Sequence, residues 1–576
     1  MVAAAALVGA GGAASRVVAA GTSPGIVTYP AAQTIAPGGP LPTGTGHSLT
    51  LNEPVGGDDA ALVVVSNARR IGAAVDAHGL GPIGARLSFR HFVRFGSSLV
   101  PDALLPWDGS PRPAEQQNQP FSVEVSVPYG TKPGVYRGSV TVTADAARVV
   151  LPLTINVYGV VLPRPGASAG SLLTVFGVGP QAYVNRAIEL FHYTTDAQIR
   201  AANDSLFSFL SAYRISPDSW GYGVPSSPTG YASSSAWWKD SAGNMVRQLQ
   251  VGRFPTLWIP LSNNRATPGR YIAGMSPFDP GSWCGYLGSV RSFWTQHGFL
   301  QPGSVPYVFA YDEPGAAQTS LLARQASAVH RCFPGAQVLT TATPDAANAR
   351  LYDGKGSDDV DIWGVVDWRY YGVFTDPGEE RDGNREHEHL VHIAVARAKG
   401  KRIFVYTYFG VHGFPSFRAT EPLSNPRMFV LWAALEGVDG ILYGEPITQY
   451  GPPGDPLYGN VLEGGERVLI YPGNGTPIAS ARLEEIRSGI EDWEILAVVR
   501  RRFGAARVRQ ILGAHGLFSA DASGVRLACV VGCDLKSTTP QAWPRWSHDA
   551  TTATRIEDAR VDALRLASGE RAPSSG

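Results

Sequence analysis

Val305-Pro-Tyr-Val-Phe-Ala-Tyr311-Asp312-Glu313-Pro314 is an apolar strand that runs straight into two adjacent acids and is then stopped by a proline. Apolar runs of this kind suit parallel strands covered on both faces. Seven further segments can be read with it as strands: Leu172–Val178, Arg214–Pro217, Phe254–Leu261, Gln337–Ala342, Asp361–Val366, Arg402–Phe409 and Gly440–Tyr443. Most gaps between them leave room for a helix, as in residues 204–213 and 320–330, so residues 166–505 are expected to form a (β/α)8 TIM-type barrel. Arg214–Pro217, the second of the eight segments, is short. Ile478 to Phe503 reads as a long closing helix, with Leu483, Ile486, Ile490, Trp493, Leu496 and Val499 at three- and four-residue spacing.

Upstream the text changes. Residues 26–165 are short β-type runs broken by Gly and Pro, and Phe121-Ser-Val-Glu-Val-Ser-Val127 alternates with the two-residue period of a half-buried strand. This predicts a β-sandwich, separated from the barrel by Leu162-Pro163-Arg164-Pro165-Gly166. Residues 506–576 read as a partly helical extension with a disordered end. Residues 1–25 are signal-like, apolar and small, but without a basic leading segment.

Composition narrows the function. Lys+Arg and Asp+Glu both number 48 and no basic run stands out, so neither nucleic acid nor an anionic membrane is expected as partner. No stretch reaches the ~18 uninterrupted apolar residues that span a bilayer. Cys284, Cys332, Cys529 and Cys533 form an even set, consistent with export to the cell surface or medium and two disulfides. Cys529 and Cys533 have no second pair or histidine cluster beside them, so no metal and no cofactor are expected.

Barrel active sites lie at the C-terminal ends of the strands, where Asp312 and Glu313 fall. A lone acid there most often caps a helix or pairs with an arginine; two in tandem after a buried strand point to catalysis. Neighbours in the chain cannot face each other across a sugar as nucleophile and acid, because a retaining pair needs carboxyls ~5–5.5 Å apart on opposite sides of the bond. A different division of labour is implied: Glu313 protonates the leaving oxygen, while the 2-acetamido group of the sugar attacks, oriented and charge-stabilised by Asp312. Arg214, Trp220, Trp363, Trp368, Tyr406 and Tyr408 are candidate substrate-binding residues on the same rim, by stacking or by hydrogen bonding. Glu445, just past the eighth strand, is the alternative nucleophile of a conventional retaining mechanism on a sugar without acetamide. A non-catalytic carbohydrate-binding surface protein is the reading from a different class.

Several phrases resemble the glycoside hydrolase family 123 catalytic domain and the related domain of unknown function 4091. They are Tyr311-Asp312-Glu313-Pro314, Leu469-Ile470-Tyr471-Pro472-Gly473 and Ser480-Ala-Arg482-Leu-Glu484-Glu485-Ile-Arg487-Ser-Gly489-Ile490-Glu491-Asp492-Trp493-Glu494-Ile-Leu496. Pro101-Asp102-Ala-Leu-Leu105-Pro106 and the segment Pro128 to Gly138 are similar to the sandwich that precedes the barrel in that group. The resemblance implies a β-N-acetylgalactosaminidase-like hydrolase acting on a glycan or glycoconjugate, retaining, substrate-assisted and without metal. Asp312 would be the stabiliser and Glu313 the acid/base; Arg482, Glu491 and Asp492 would hold the last helix. Gly444-Glu445-Pro446 departs from the aromatic-rich rim expected after the eighth strand.

Overall fold

The computed structural model describes residues 23–43, 46–218, 249–259, 279–354, 356–370, 388–407, 414–444, 447–450, 465–518 and 549–569. Ten strands, numbered in chain order, make two facing sheets. One has the order β1 (Gly25–Pro30), β3 (Asp58–Ser66), β8 (Asn118–Ser126), β5 (Gly84–Phe95), β6 (Ser98–Trp107), all antiparallel. The other has the order β2 (Leu49–Val55), β10 (Ala147–Val161), β9 (Gly134–Ala144), β4 (Arg70–Asp76), β7 (Arg112–Pro113), with β2 parallel to β10.

The two-residue period in the sequence puts Phe121, Val123 and Val125 of β8 between the sheets, against Val140 and Val142 of β9 and Leu151, Leu153 and Ile155 of β10. The expectation of a half-buried strand is corrected, since Ser122 and Glu124 on the opposite face are buried as well. That face is covered by the long helix Ala481–Phe503, so its polar residues need partners within the protein. Arg90 Nε donates to Ser122 Oγ at 2.9 Å, and Ser488 Oγ on the helix donates to Asp59 Oδ1 at 3.3 Å.

A nearly closed parallel sheet of seven strands follows: β11 (Leu173–Phe176), β17 (Gly440–Tyr443), β16 (Arg402–Tyr406), β15 (Ile362–Val366), β14 (Gln337–Thr340), β13 (Val305–Tyr311), β12 (Thr256–Trp258), in that order. The second predicted strand, Arg214–Pro217, is reduced to one bridge between Phe176 and Pro217. Its chemistry explains why. Pro217 has no N–H to donate to a ladder, and Arg214 sits at φ 61°, a left-handed conformation incompatible with a strand. Threonine side chains close the seam instead: Ser216 N–H donates to Thr174 Oγ1 at 2.9 Å, Thr174 Oγ1 to Arg214 O at 3.0 Å, and Thr256 Oγ1 to Thr174 O at 2.6 Å. Cys284 and Cys332, on two neighbouring helices, form a disulfide; Cys529 and Cys533 lie outside the described residues. Among the described residues no helix is long and apolar enough to cross a membrane.

Helix Ala481–Phe503 starts at Ser480, whose hydroxyl accepts from Leu483 N–H, and it packs closely on helix Asn425–Glu436. A Cβ at Gly489 would stand 2.9 Å from Val430 Cβ, so glycine is required at that crossing. The helix is an ionic axle. Arg482 uses all five of its donors: two on Asp102 of β6 (3.0 and 2.8 Å) and the rest on the carbonyls of Phe417, Gly465 and Val468. Arg427 and Arg560 both bind Asp492, and Arg560 also reaches Glu53 at 3.0 Å and the Asn52 carbonyl at 2.9 Å. Arg560 belongs to helix Thr552–Ser568, so a helix of the C-terminal extension packs into the joint between sandwich and barrel.

Burial raises Glu491 to about 7 and Glu485 and Glu494 to about 8, with neighbouring guanidiniums opposing the shift. Each carboxyl therefore holds its proton more tightly folded than unfolded, where glutamate titrates at about 4.3. Between those values the folded chain binds more protons, so stability is expected to fall as pH rises from about 5 to about 8. The midpoint of thermal unfolding should be higher by several degrees at about pH 5.5 than at about pH 8.5. Scanning calorimetry at the two values checks the sign.

Candidate active site

Side chains alternate along a strand, so two consecutive acids on ideal β13 would point to opposite faces. The strand does not stay ideal. Phe309 pairs with Leu339 but Tyr311 pairs with Thr340, so Ala310 is an extra residue bulged out of the ladder. Thr340 Oγ1 donates to Tyr311 O at 2.7 Å beside the bulge. Two residues on, Glu313 adopts φ 46°, a left-handed conformation that costs a side-chain-bearing residue energy and is held by its surroundings.

The surroundings are Thr341, the residue after β14. Its Oγ1 accepts from the Glu313 N–H at 2.7 Å and donates to Asp312 Oδ1 at 2.7 Å. Thr341 is buried, Asp312 is half-buried and Glu313 is exposed at the mouth. Tyr406, at the end of β16, donates from its hydroxyl to Glu313 Oε1 at 3.4 Å. Because β14 and β15 lie between β13 and β16 in the sheet, this bond has Glu313 leaning across the mouth toward Tyr406, while Asp312 is tied back to Thr341.

The other rim candidates divide. Arg214 is corrected from substrate binding to a joint role: its buried guanidinium donates to the carbonyls of Pro163 (2.9 Å) and Gly56 (3.3 Å) and pairs with Glu494 at 3.1 Å and Glu491 at 3.7 Å. The left-handed turn at Arg214 sends the side chain toward the sandwich. Trp363 is corrected too. It is fully buried, with its ring edge-on to Tyr352 at 5.6 Å, and no sugar can reach its face. Trp368 lies on the short helix Asp367–Tyr370 that follows β15. Trp220, Tyr408 and Glu445 lie outside the described residues.

Asp218 and Tyr307 are neighbours that escape a sequence reading. Asp218 ends the reduced second strand; its Oδ1 accepts from Val178 N–H at 3.1 Å and burial pushes it up to about 7. Tyr307, on β13, feels the Asp218 charge, and its buried hydroxyl has no hydrogen-bond partner among the described residues. An acid ending a strand was the available signal, masked by the brevity of that strand. A cavity of about 60 Å³ behind the acid pair, lined by Pro314, Gly315, Thr319 and Asn348, holds water at most. A cleft of about 1170 Å³ opens between sandwich and barrel around Arg86, Tyr213 and Arg487, away from these acids. Among the described residues no three His, Cys, Asp or Glu side chains form a group that could hold a metal ion.

Residues 282–499 match the family model described as glycoside hydrolase 123, catalytic domain. This span includes Asp312, Glu313, Thr341, Tyr406 and Arg482. No curated protein matches the chain in sequence. Among solved structures, a family 123 glycoside hydrolase from Clostridium perfringens, described for glycolipid glycan hydrolysis, superposes with a TM-score of 0.60 at 13% identity, covering 95% of this chain and 100% of that one. A Bacteroides ovatus GH5 xyloglucanase reaches a TM-score of 0.31 at 11% identity, covering 77% of this chain and 98% of its own, too loose a superposition to carry weight.

Proposed function

Starting from a chain that carries a glycoside hydrolase family 123 catalytic domain in residues 282–499, we propose that it cleaves β-linked 2-acetamido sugars, N-acetylgalactosamine first among them, with retention and substrate assistance. Glu313 protonates the leaving oxygen as the acetamide oxygen attacks the anomeric carbon. Asp312 receives the acetamide N–H and stabilises the positive charge of the cyclic intermediate. Water then opens that intermediate, with Glu313 now acting as base. One observation carries the reading: two neighbouring carboxyls diverge at the mouth, Asp312 held by Thr341 and Glu313 extended toward Tyr406. A nucleophile facing Glu313 is not available from its own neighbour, whereas an acetamide orienter beside it is.

The competing mechanism draws its nucleophile from Glu445, two residues beyond the end of β17 in the chain. Under the proposal, Glu445→Gln retains turnover within a factor of about three, and azide added to Glu445→Ala yields no glycosyl azide. A thiazoline analogue of the intermediate is a competitive inhibitor, and the same glycosides stripped of the acetamide are not cleaved. Azide rescue of Glu445→Ala, or turnover of the stripped glycosides, sinks substrate assistance. Glycolipid glycans, the substrates in the description of the Clostridium enzyme, belong in the panel beside simple β-N-acetylgalactosaminides and β-N-acetylglucosaminides. Export to the cell surface or medium fits the Cys284–Cys332 disulfide, because such bonds persist in oxidising compartments.

A further inference from the structure

We propose that Thr341 is a positioning residue for catalysis, a single hydroxyl that sets the attitude of both acids at once; this rests on reading Asp312 and Glu313 as the catalytic pair. The geometry is specific to a hydroxyl. One lone pair takes the N–H of Glu313, which anchors the backbone of that residue in its φ 46° conformation, and the single proton goes to Asp312 Oδ1. A hydroxyl that accepts from one and donates to the other leaves Asp312 Oδ2 as the oxygen turned to substrate. It also dictates where the Glu313 side chain departs from the main chain.

Thr341 is itself well fixed. It is 5% exposed, and it follows β14 directly. Its methyl lies over Gly364 of β15, where an added Cβ would stand 3.4 Å from Thr341 Cγ2. The Ala310 bulge and the Thr340 bond to Tyr311 O bring Asp312 and Glu313 to this hydroxyl out of the ordinary alternation. Without Thr341, the left-handed residue loses its tether and the adjacent acid loses its donor, while nothing that touches the sugar has been deleted. Misplacement of a catalytic group by about 1 Å costs roughly 10²-fold.

The test uses the full chain and three variants on one β-N-acetylgalactosaminide. Thr341→Val keeps shape and removes the hydroxyl; Thr341→Ser keeps the hydroxyl and removes the methyl; Thr341→Ala guards against a valine variant that fails to fold. We expect Thr341→Val and Thr341→Ala to lower kcat by about 10²-fold with KM changed by less than about threefold, and Thr341→Ser to stay within about fivefold of the parent. Thermal unfolding, measured in parallel, separates loss of fold from loss of turnover. Parent-like kcat in a folded Thr341→Val or Thr341→Ala overturns the proposal, and so does an equal loss in Thr341→Ser. Asp312→Asn and Glu313→Gln are run alongside: if they retain activity, the underlying reading fails; if they are crippled while folded Thr341→Val is not, only the role of Thr341 fails.

Discussion

Asp312→Asn and Glu313→Gln are each expected to lower kcat/KM by at least ~10²-fold without changing the unfolding midpoint. Both substitutions keep size and shape, and the two side chains are half-buried and exposed, so little folding energy depends on their charge. Their kinetic signatures should differ. Glu313→Gln removes the proton donor, so its loss shrinks when the aglycone is a nitrophenolate that leaves without protonation. Asp312→Asn removes the anion that balances the charge of the cyclic intermediate, so its loss persists whatever the leaving group. Activity assays with one poor and one good aglycone check both. Equal, leaving-group-independent losses in the two variants would contradict the assignment of roles.

Arg482→Met is expected to be the most damaging single change to the fold, destabilising by about 3–5 kcal/mol or preventing accumulation of folded protein. The guanidinium is 1% exposed and every donor is engaged. Its removal strands the Asp102 carboxylate, also 1% exposed, with the Tyr471 hydroxyl at 2.6 Å as its remaining hydrogen-bond partner among the described residues, and leaves three buried carbonyls without their donor. Arg482→Lys should rescue little, because an ammonium has three donors and no planar fork to match Asp102. Pairing Arg482→Met with Asp102→Leu, which removes the stranded charge, should recover part of the loss. Chemical denaturation of the soluble variants gives the measurement. A Arg482→Met protein as stable as the parent would show that the contacts between Asp102, Arg482 and the barrel loops do not hold the domains together.

Much of the architecture was legible before any coordinates. The apolar run ending in Asp312 and Glu313, the buried runs at 337–342 and 361–366, and the 3.6-residue rhythm from Leu483 to Val499 are local signals, and each corresponds to an element. The second strand was not legible, because a short run ending in proline carries little periodicity and its outcome depends on whether neighbours complete the ladder. Arg214 and Trp363 were drawn to the rim by residue type alone; a left-handed turn sends one to the sandwich and the strand's own register buries the other.

Thr341 marks the boundary. The sequence by itself determined that two acids stand in tandem past a buried strand, and from their adjacency that they cannot serve as a facing nucleophile and acid. It carried no sign of Thr341, 28 residues downstream of Glu313 and unremarkable in its local text. The tertiary structure decided which way the two carboxyls point, because that depends on a bulge in one strand, a hydroxyl at the end of the next and a tyrosine on a third. Residue type and spacing encode chemistry and local periodicity; the direction of a side chain is set by partners distant in the chain, and only folding brings them within hydrogen-bond reach.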